Sequence, residues 1–526
     1  MVQHAHFDVA IVGGGHNGLT SACYLAKSGK KVIVLESLAQ VGGMCTSGPL
    51  IPAAPEHTIH PCSLDLMSLR VHPFVPEELE LHRHGFRQED MNPGYVYCHP
   101  DGNSLIFGRT PEETAAEIQR YSPNDAQAFL ELMNVVYAFI DMVVPMMRVD
   151  PARFNLLAKL NALKVLIKNR KIKPEIMALI SSPAYTSIAE RFEHPIVRSS
   201  LCCLLGAAGP ITAEATGVYF ALLGFIHKYG LGRAMGGMQT IAEALAGRLK
   251  ELGGEVRVNC PVAEIISEDK KVKGIRLVSG EVIQAAAVIA SIHPKPALEM
   301  VTAGQLDQKV LTRVAMAPAN AHGGSPIKVD MALSGHVKYS RLEAKRGDGI
   351  SLRKSVLLIG TEEAVLDNFK CVKRDQISAM PYMWVTLPTA MDPSQAPAGC
   401  DVAYLYPVAM PVDPECGWEA VRDQVGQQVI DWAAEYMEGL TEMEIGRTMA
   451  VARDWETQFN VLNGCVIHID TCTTRSSTMR PAAGLGGDTL PVEGLYLGGA
   501  GIHPGGGVNG MPGRIAAQRV SRYLAR

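Results

Sequence analysis

The stretch that most constrains this chain is Val9 to Glu36, VAIVGGGHNGLTSACYLAKSGKKVIVLE. Strand, glycine turn, helix, second strand and terminal acid follow one another there in the order of a nucleotide-binding unit. Val9 to Val12 predicts a short apolar strand, Gly13, Gly15 and Gly18 supply G-x-G-x-x-G, Leu19 to Ala26 continues as a small-residue helix, and Lys31 to Leu35 predicts the second strand. Gly13 permits the tight turn, Gly15 lets the backbone approach a pyrophosphate, and Gly18 lets helix and strand touch. The helix N-terminus offers free N–H groups to the anion. Glu36 stands where an acid accepts hydrogen bonds from a ribose 2′-OH, which argues against a 2′-phosphate. No second fingerprint follows a strand elsewhere in the sequence, so one tightly held dinucleotide is expected, and FAD is favoured over NAD.

With 526 residues, 47% hydrophobic and 19% charged, the chain can bury a large core and exceeds one simple layer architecture, so two connected domains are expected. A net charge of -4 gives no electrostatic reason to expect nucleic acid. The first strand begins within about ten residues of Met1, which leaves no room for a cleavable leader and sets the expectation of a cytoplasmic protein. The uncharged runs near 37–55 and 494–513 are broken by Gly and Pro, so neither is read as a membrane helix. Twelve cysteines are scattered without a C-x-x-C, which removes a redox pair and reads as buried thiols in a reducing compartment. His57, His60 and Cys62 lack zinc-like spacing, so no metal is expected.

Beyond Glu36, Gly42 and Gly43 form a second point of close backbone approach. Thr110 to Lys173 reads as a helical insertion, with apolar positions at Phe129, Leu132, Val136, Phe139 and Ile140. Its second half carries an apolar stripe, Leu156, Leu160, Leu163 and Ile167, flanked by Lys159, Lys164, Lys168 and Lys171. A helix packed on its own protein is favoured there, and peripheral membrane contact or self-association through 126–173 is the alternative. From Gly236 the chain returns to an alternating pattern: a helix over Thr240–Leu252, a strand over Glu255–Val258, then a hairpin from Lys271 to Val278 and Glu281 to Ala290. Residues 297–451 suit an antiparallel sheet. The expected division is a discontinuous dinucleotide domain from 1–70, 230–296 and 452–526, and a substrate domain from 71–229 and 297–451.

Three distant segments then match one family together: the fingerprint with Gly42 and Gly43, the central GGM–helix–strand, and the terminal GGAGIHPGGGVNG. The chain resembles the phytoene-desaturase-like flavoproteins over nearly its whole length, and resembles best the pyridine nucleotide-disulphide oxidoreductase domain proteins. The segment HID…STMRPAAG, from His468 to Gly484, is similar to that subgroup's approach to the last flavin motif. The resemblance implies an α/β fold with a Rossmann-like, amine-oxidase-like FAD domain and an interleaved α+β substrate domain. Carried across by position, Gly13, Gly15 and Gly18 meet the pyrophosphate, Glu36 the ribose, and Gly43 and Met44 the middle of FAD. Val262 meets the adenine, and Gly499 and Ala500 the ribityl phosphate. Asn509, Gly510 and Met511 present a helix N-terminus to the flavin pyrimidine. Ala500 departs from relatives that place an acid at or beside this position.

A flavin accepts a hydride from a C–H bond and passes electrons to O2 or a quinone. The resemblance therefore implies an oxidoreductase that desaturates, oxidises or isomerises an apolar small molecule. His503, in the last flavin motif, is the expected proton acceptor, with His60 as a loop alternative and Arg480 as a holder of an anionic or carbonyl group. Two other readings stay open. An amine oxidase is expected to frame the flavin with an aromatic pair, and with 6% aromatic residues no such pair marks itself. A non-catalytic prenyl-binding escort protein shares this general fold, and the intact fingerprint counts against it.

Overall fold

A computed structural model of the chain describes residues 6–153, 160, 164, 167, 170, 172–488 and 490–526. Its organising layer is a seven-stranded sheet. Val32–Leu35 and Glu255–Arg257 lie on one side of the central strand His6–Val12, all parallel, and Val282–Ala290 lies on the other. That last strand is shared. Its first half pairs antiparallel with Lys271–Leu277, which continues to Val262–Glu268, while its second half takes up Leu495–Leu497 in parallel. Both faces are covered, which is why the fingerprint strands read as continuous apolar runs. Val9, Ile11, Val32 and Val34 pack under the helices His16–Lys27, Gln239–Glu251 and Met511–Leu524. Ala10, Val12, Ile33 and Leu35 pack on the opposite side with the hairpin.

A second seven-stranded sheet runs Glu444–Ala450, Lys328–Leu333, Asp401–Pro407, Met383–Thr386, Val356–Ile359, Tyr95–Cys98, Ser104–Phe107. Every pairing in it is antiparallel except that of Val356–Ile359 with Tyr95–Cys98. One face carries the helix Trp418–Ala434, and the other packs on a helical block. The main beam of that block is Pro123–Met147, started by Pro123 and by the Ser122 hydroxyl, which accepts from the Asp125 N–H at 3.1 Å. Phe129, Leu132, Val136, Phe139 and Ile140 form its buried stripe. Among the described residues it is the one helix long and apolar enough to cross a membrane, and half of that window is buried in the protein.

The basic stripe expected over 156–173 falls largely outside the described residues. Within it, Leu160 and Ile167 are exposed. The cysteines need one correction: seven are buried, whereas Cys260, Cys371, Cys400 and Cys472 are partly accessible and Cys416 is exposed. All twelve are free thiols. Desolvation pushes the Cys23, Cys45, Cys62 and Cys465 thiols up to about 12, so these four are unreactive packing groups.

Candidate active site

The carboxyl ends of the parallel strands open into a cavity of about 520 Å³ that runs from the fingerprint to the second sheet. This is where ligands sit in open α/β sheets. Val12, Leu35, Glu36, Pro261 and Val262 line it, as do Gly13, Gly15, Gly43, Met44, Gly499 and Ala500, and Asp65, Gly507 and Val508.

The fingerprint glycines divide their labour as their spacing requires. Gly13 adopts φ +98°, and a Cβ there would lie 2.8 Å from Ile292 Cγ2. A Cβ on Gly18 would lie 2.1 Å from the Gly13 carbonyl oxygen, so helix and turn touch only because both are bare. Gly15 is different: its φ of −66° suits any residue, and a Cβ would meet only the Gly42 oxygen, at 3.9 Å. It is kept clear for whatever enters the cleft. Glu36 does more than end a strand. Its carboxylate accepts from the Gly14 N–H at 2.8 Å and from the Leu38 N–H at 2.9 Å, tying the turn to the second strand.

The cradle fits a dinucleotide, and three buried atoms in its lining support this. His16, Asn17 and His468 line the cleft, and their buried Nε2, Oδ1 and Nδ1 atoms have no hydrogen-bond partner among the described residues. Desolvation lowers the His16 imidazole to about 4 and holds His468 well below the usual range, so both stay neutral near pH 7 and can donate or accept. Nothing in G-G-G-H-N-G or IHID marks these residues by spacing. Only the fold brings them together.

A family model described as flavin containing amine oxidoreductase matches residues 18–521. The chain belongs to that family. It is an FAD-dependent oxidoreductase with the family's α/β fold, and the expected phytoene-desaturase-like kinship is borne out. Pyridine nucleotide-disulfide oxidoreductase domain-containing protein 2 of Rattus norvegicus is 26% identical, over 98% of this chain and 94% of that protein. Phytoene desaturase (lycopene-forming) of Pseudescherichia vulneris is 23% identical, over 98% of each. Among solved structures, an oxidoreductase from Methanosarcina mazei superposes with a TM-score of 0.63 at 15% identity, covering 98% of this chain and 100% of that one.

In this flavoenzyme the expected residues separate into two groups. Gly13, Gly15, Glu36, Gly43, Met44, Val262, Gly499 and Ala500 all line the cavity, and Gly18 supports the turn from behind. Asn509, Gly510 and Met511 do not line it, whereas Gly507 and Val508 do. The Asn509 amide oxygen is occupied locally: it accepts from the Met511 N–H at 2.8 Å, just ahead of the helix whose N-cap is Gly510.

The three residues expected to carry chemistry each have contacts of their own in the protein. His503 is not among the residues that line the cavity; its Nε2 lies 3.0 Å from the Met146 carbonyl oxygen at the end of Pro123–Met147, and burial lowers it to about 4. Arg480 is buried and holds no carboxylate among the described residues. Its Nη2 donates to the backbone oxygens of Ile467, Ile469 and Ala500 at 3.0, 2.8 and 3.0 Å, clamping two loops around the cleft. His60 is bonded through Nε2 to Gln395 Oε1 at 2.7 Å, and burial lowers it to about 3. Among the described residues no cluster could hold a metal.

Composition concealed the wall of the far chamber. Tyr95, Trp384, Tyr404, Tyr406 and Phe459 all line it, with Leu222, Ala207 and Ala208 from the helical block. Tyr404 and Tyr406, two apart on one strand, stack with centroids 5.8 Å apart, and Tyr95 leans on Trp384 at 5.0 Å. Behind Tyr404 lies the buried ion pair of Lys328 and Asp330, with the ammonium 3.9 Å from the ring centroid. Asp65 is the acid of this chamber. Burial raises its carboxyl, which accepts from the Met67 N–H at 3.2 Å and the Tyr95 hydroxyl at 3.3 Å.

Proposed function

We propose that this enzyme desaturates, oxidises or isomerises an apolar small molecule held in the aromatic chamber, with the sheet built from 1–70, 230–296 and 452–526 as cofactor domain and 71–229 with 297–451 as substrate domain. The observation that carries this reading is the continuity of one cavity, from bare fingerprint glycines to a wall of Tyr, Trp, Phe and Leu side chains. FAD, when bound, supplies a hydride acceptor that returns electrons to O2 or a quinone. The chain's own residues do the rest. Gly13, Gly15, Gly43 and Glu36 fix the dinucleotide, the aromatic wall orients an apolar molecule and excludes water, and Asp65 receives the proton lost beside the hydride. A carboxyl raised by burial and bonded to Tyr95 suits that last task. The phytoene desaturases among the relatives, named for an apolar substrate, support the same class.

The stacked Tyr404 and Tyr406 favour a second reading, amine oxidation, because two adjacent aromatic rings on the cavity wall suit the pair expected to frame a flavin in that class. Anaerobic mixing of the purified yellow protein with unsaturated isoprenoids and with alkyl and aryl amines separates the two. Loss of flavin colour with the isoprenoids is expected, and loss with amines alone would select the second reading. Tight prenyl-lipid binding without reduction by anything in the panel would return the chain to the escort class.

A further inference from the structure

Arg233 is a guanidinium in the chamber wall with too few partners. It sits in the strand Leu231–Ala234, is 1% exposed, and lines the cavity between Tyr95, Thr386 and Tyr404. Among the described residues its Nε and Nη1 have no hydrogen-bond partner, and its Nη2 makes only long contacts, 3.5 Å to Thr386 Oγ1 and 3.6 Å to Met91 Sδ. Two acids lie near enough to act on it electrostatically, and both are committed elsewhere. Asp65 accepts from the Met67 N–H and the Tyr95 hydroxyl. Asp392 accepts from the Gly236 N–H at 2.5 Å, the Gln395 amide at 2.8 Å and the Ser394 hydroxyl at 2.6 Å. Neither comes within ion-pair distance of Arg233 among the described residues. A buried cation without a bonded anion is costly, and buried charges are otherwise paired.

We propose that Arg233 anchors a carboxylate on the substrate, so that the molecule entering this chamber is an apolar acid, its hydrocarbon part against the aromatic wall and its carboxylate on the guanidinium. This rests on the reading of the chamber as the substrate site. Guanidinium is the cation whose planar donors match a carboxylate, and a charge-assisted pair out of water is about twice as strong as a neutral hydrogen bond. The same donors could instead serve a carbonyl oxygen of the flavin, and the test separates the two.

The holoprotein is titrated with phenylbutyrate, phenylbutyramide and phenylbutanol, followed by perturbation of the flavin spectrum and by thermal shift. Phenylbutyrate should bind at least about tenfold more tightly than the amide, and the alcohol no better than the amide. Arg233→Gln should abolish that preference while FAD stays bound, and Arg233→Lys should keep part of it. Equal affinity of wild type for acid and amide overturns the proposal, as does a preference that survives Arg233→Gln. If Arg233→Gln folds but loses FAD, the guanidinium belongs to the cofactor and the proposal falls. A purified protein that takes up no flavin would sink the function proposed above, and thermal shift would still read the acid preference.

Discussion

Gly15 and Gly18 stand three residues apart, yet the structure assigns an added methyl group opposite fates at the two. On Gly18 the new Cβ lies 2.1 Å from the Gly13 oxygen, 3.3 Å from its carbonyl carbon and 3.1 Å from Ser291 Cβ, so helix His16–Lys27 must move off the turn. Backbone atoms cannot yield as a flexible side chain would, and overpacking of this kind costs about 1–3 kcal/mol, with cleft geometry lost as well. On Gly15 the Cβ meets a single atom, at 3.9 Å, on an ordinary φ. Gly15→Ala should therefore leave the apoprotein within about 0.5 kcal/mol of wild type, the usual range for a harmless site. Its methyl group occupies the space toward the cleft, so FAD should bind at least about tenfold more weakly, which corresponds to 1.4 kcal/mol. The assay pairs urea unfolding of both apoproteins with FAD titration followed by flavin fluorescence. Gly18→Ala should fail in both measurements and Gly15→Ala only in the second. If Gly15→Ala binds FAD like wild type, the cleft does not run past this backbone and the assignment of the pyrophosphate is wrong.

Glu36→Ala removes a charged acceptor from the Gly14 and Leu38 N–H groups as well as from the ribose, and should weaken FAD binding by about 1.5–3 kcal/mol, with unchanged affinity in the same titration as the contrary result. His503→Ala should leave anaerobic flavin reduction within about threefold of wild type, far from the 10²–10⁴ of a lost base, and should lower stability by about 1–3 kcal/mol because the Met146 contact is lost. Stopped flow and urea unfolding read the two effects, and a large loss of rate would restore His503 to the chemistry. Burial holds His16, His227, His293 and His503 near 4 and His60 and His72 near 3, below the unfolded value of 6.5. The unfolded chain therefore binds more protons as pH falls through 6.5, and stability should drop steadily from there toward pH 4. A urea midpoint that stays flat between pH 6.5 and 5 would show these rings are not buried neutral.

What the sequence disclosed was whatever is local along the chain. The cradle of Gly13, Gly15, Gly18 and Glu36 is read from one unit of strand, turn and helix, because all four residues stand within it, although Gly13 is crowded by Ile292 from far along the chain and Gly15 is forced by no close contact. Val262, Gly499 and Ala500 followed by resemblance and do line the cavity. The aromatic wall was concealed because Tyr95, Trp384, Tyr404 and Phe459 come from four segments, the first three gathered by the second sheet and Phe459 brought by the helix Ala452–Phe459. His503 is a different case. Position beside the last flavin motif fixes its backbone, while the direction of its ring is set by Met146, a residue from a helix hundreds of positions away. Arg480 was read as a holder of an anion or a carbonyl, and its oxygens turn out to belong to the protein's own main chain.

The strand Val282–Ala290 gives half its length to a hairpin already at hand and half to Leu495–Leu497. The helix that follows locks against the fingerprint through the Ser21 hydroxyl and the Gly513 oxygen, partners 492 positions apart. On a ribosome, chains emerge N-terminus first at about 5–20 residues per second. The hairpin half of that edge can close early, while the other half waits through the making of five of the seven strands of the second sheet, from Lys328–Leu333 to Glu444–Ala450. Ribosome-bound chains arrested after the second sheet should thus remain colourless in FAD, and colour should arrive only on release of the finished polypeptide.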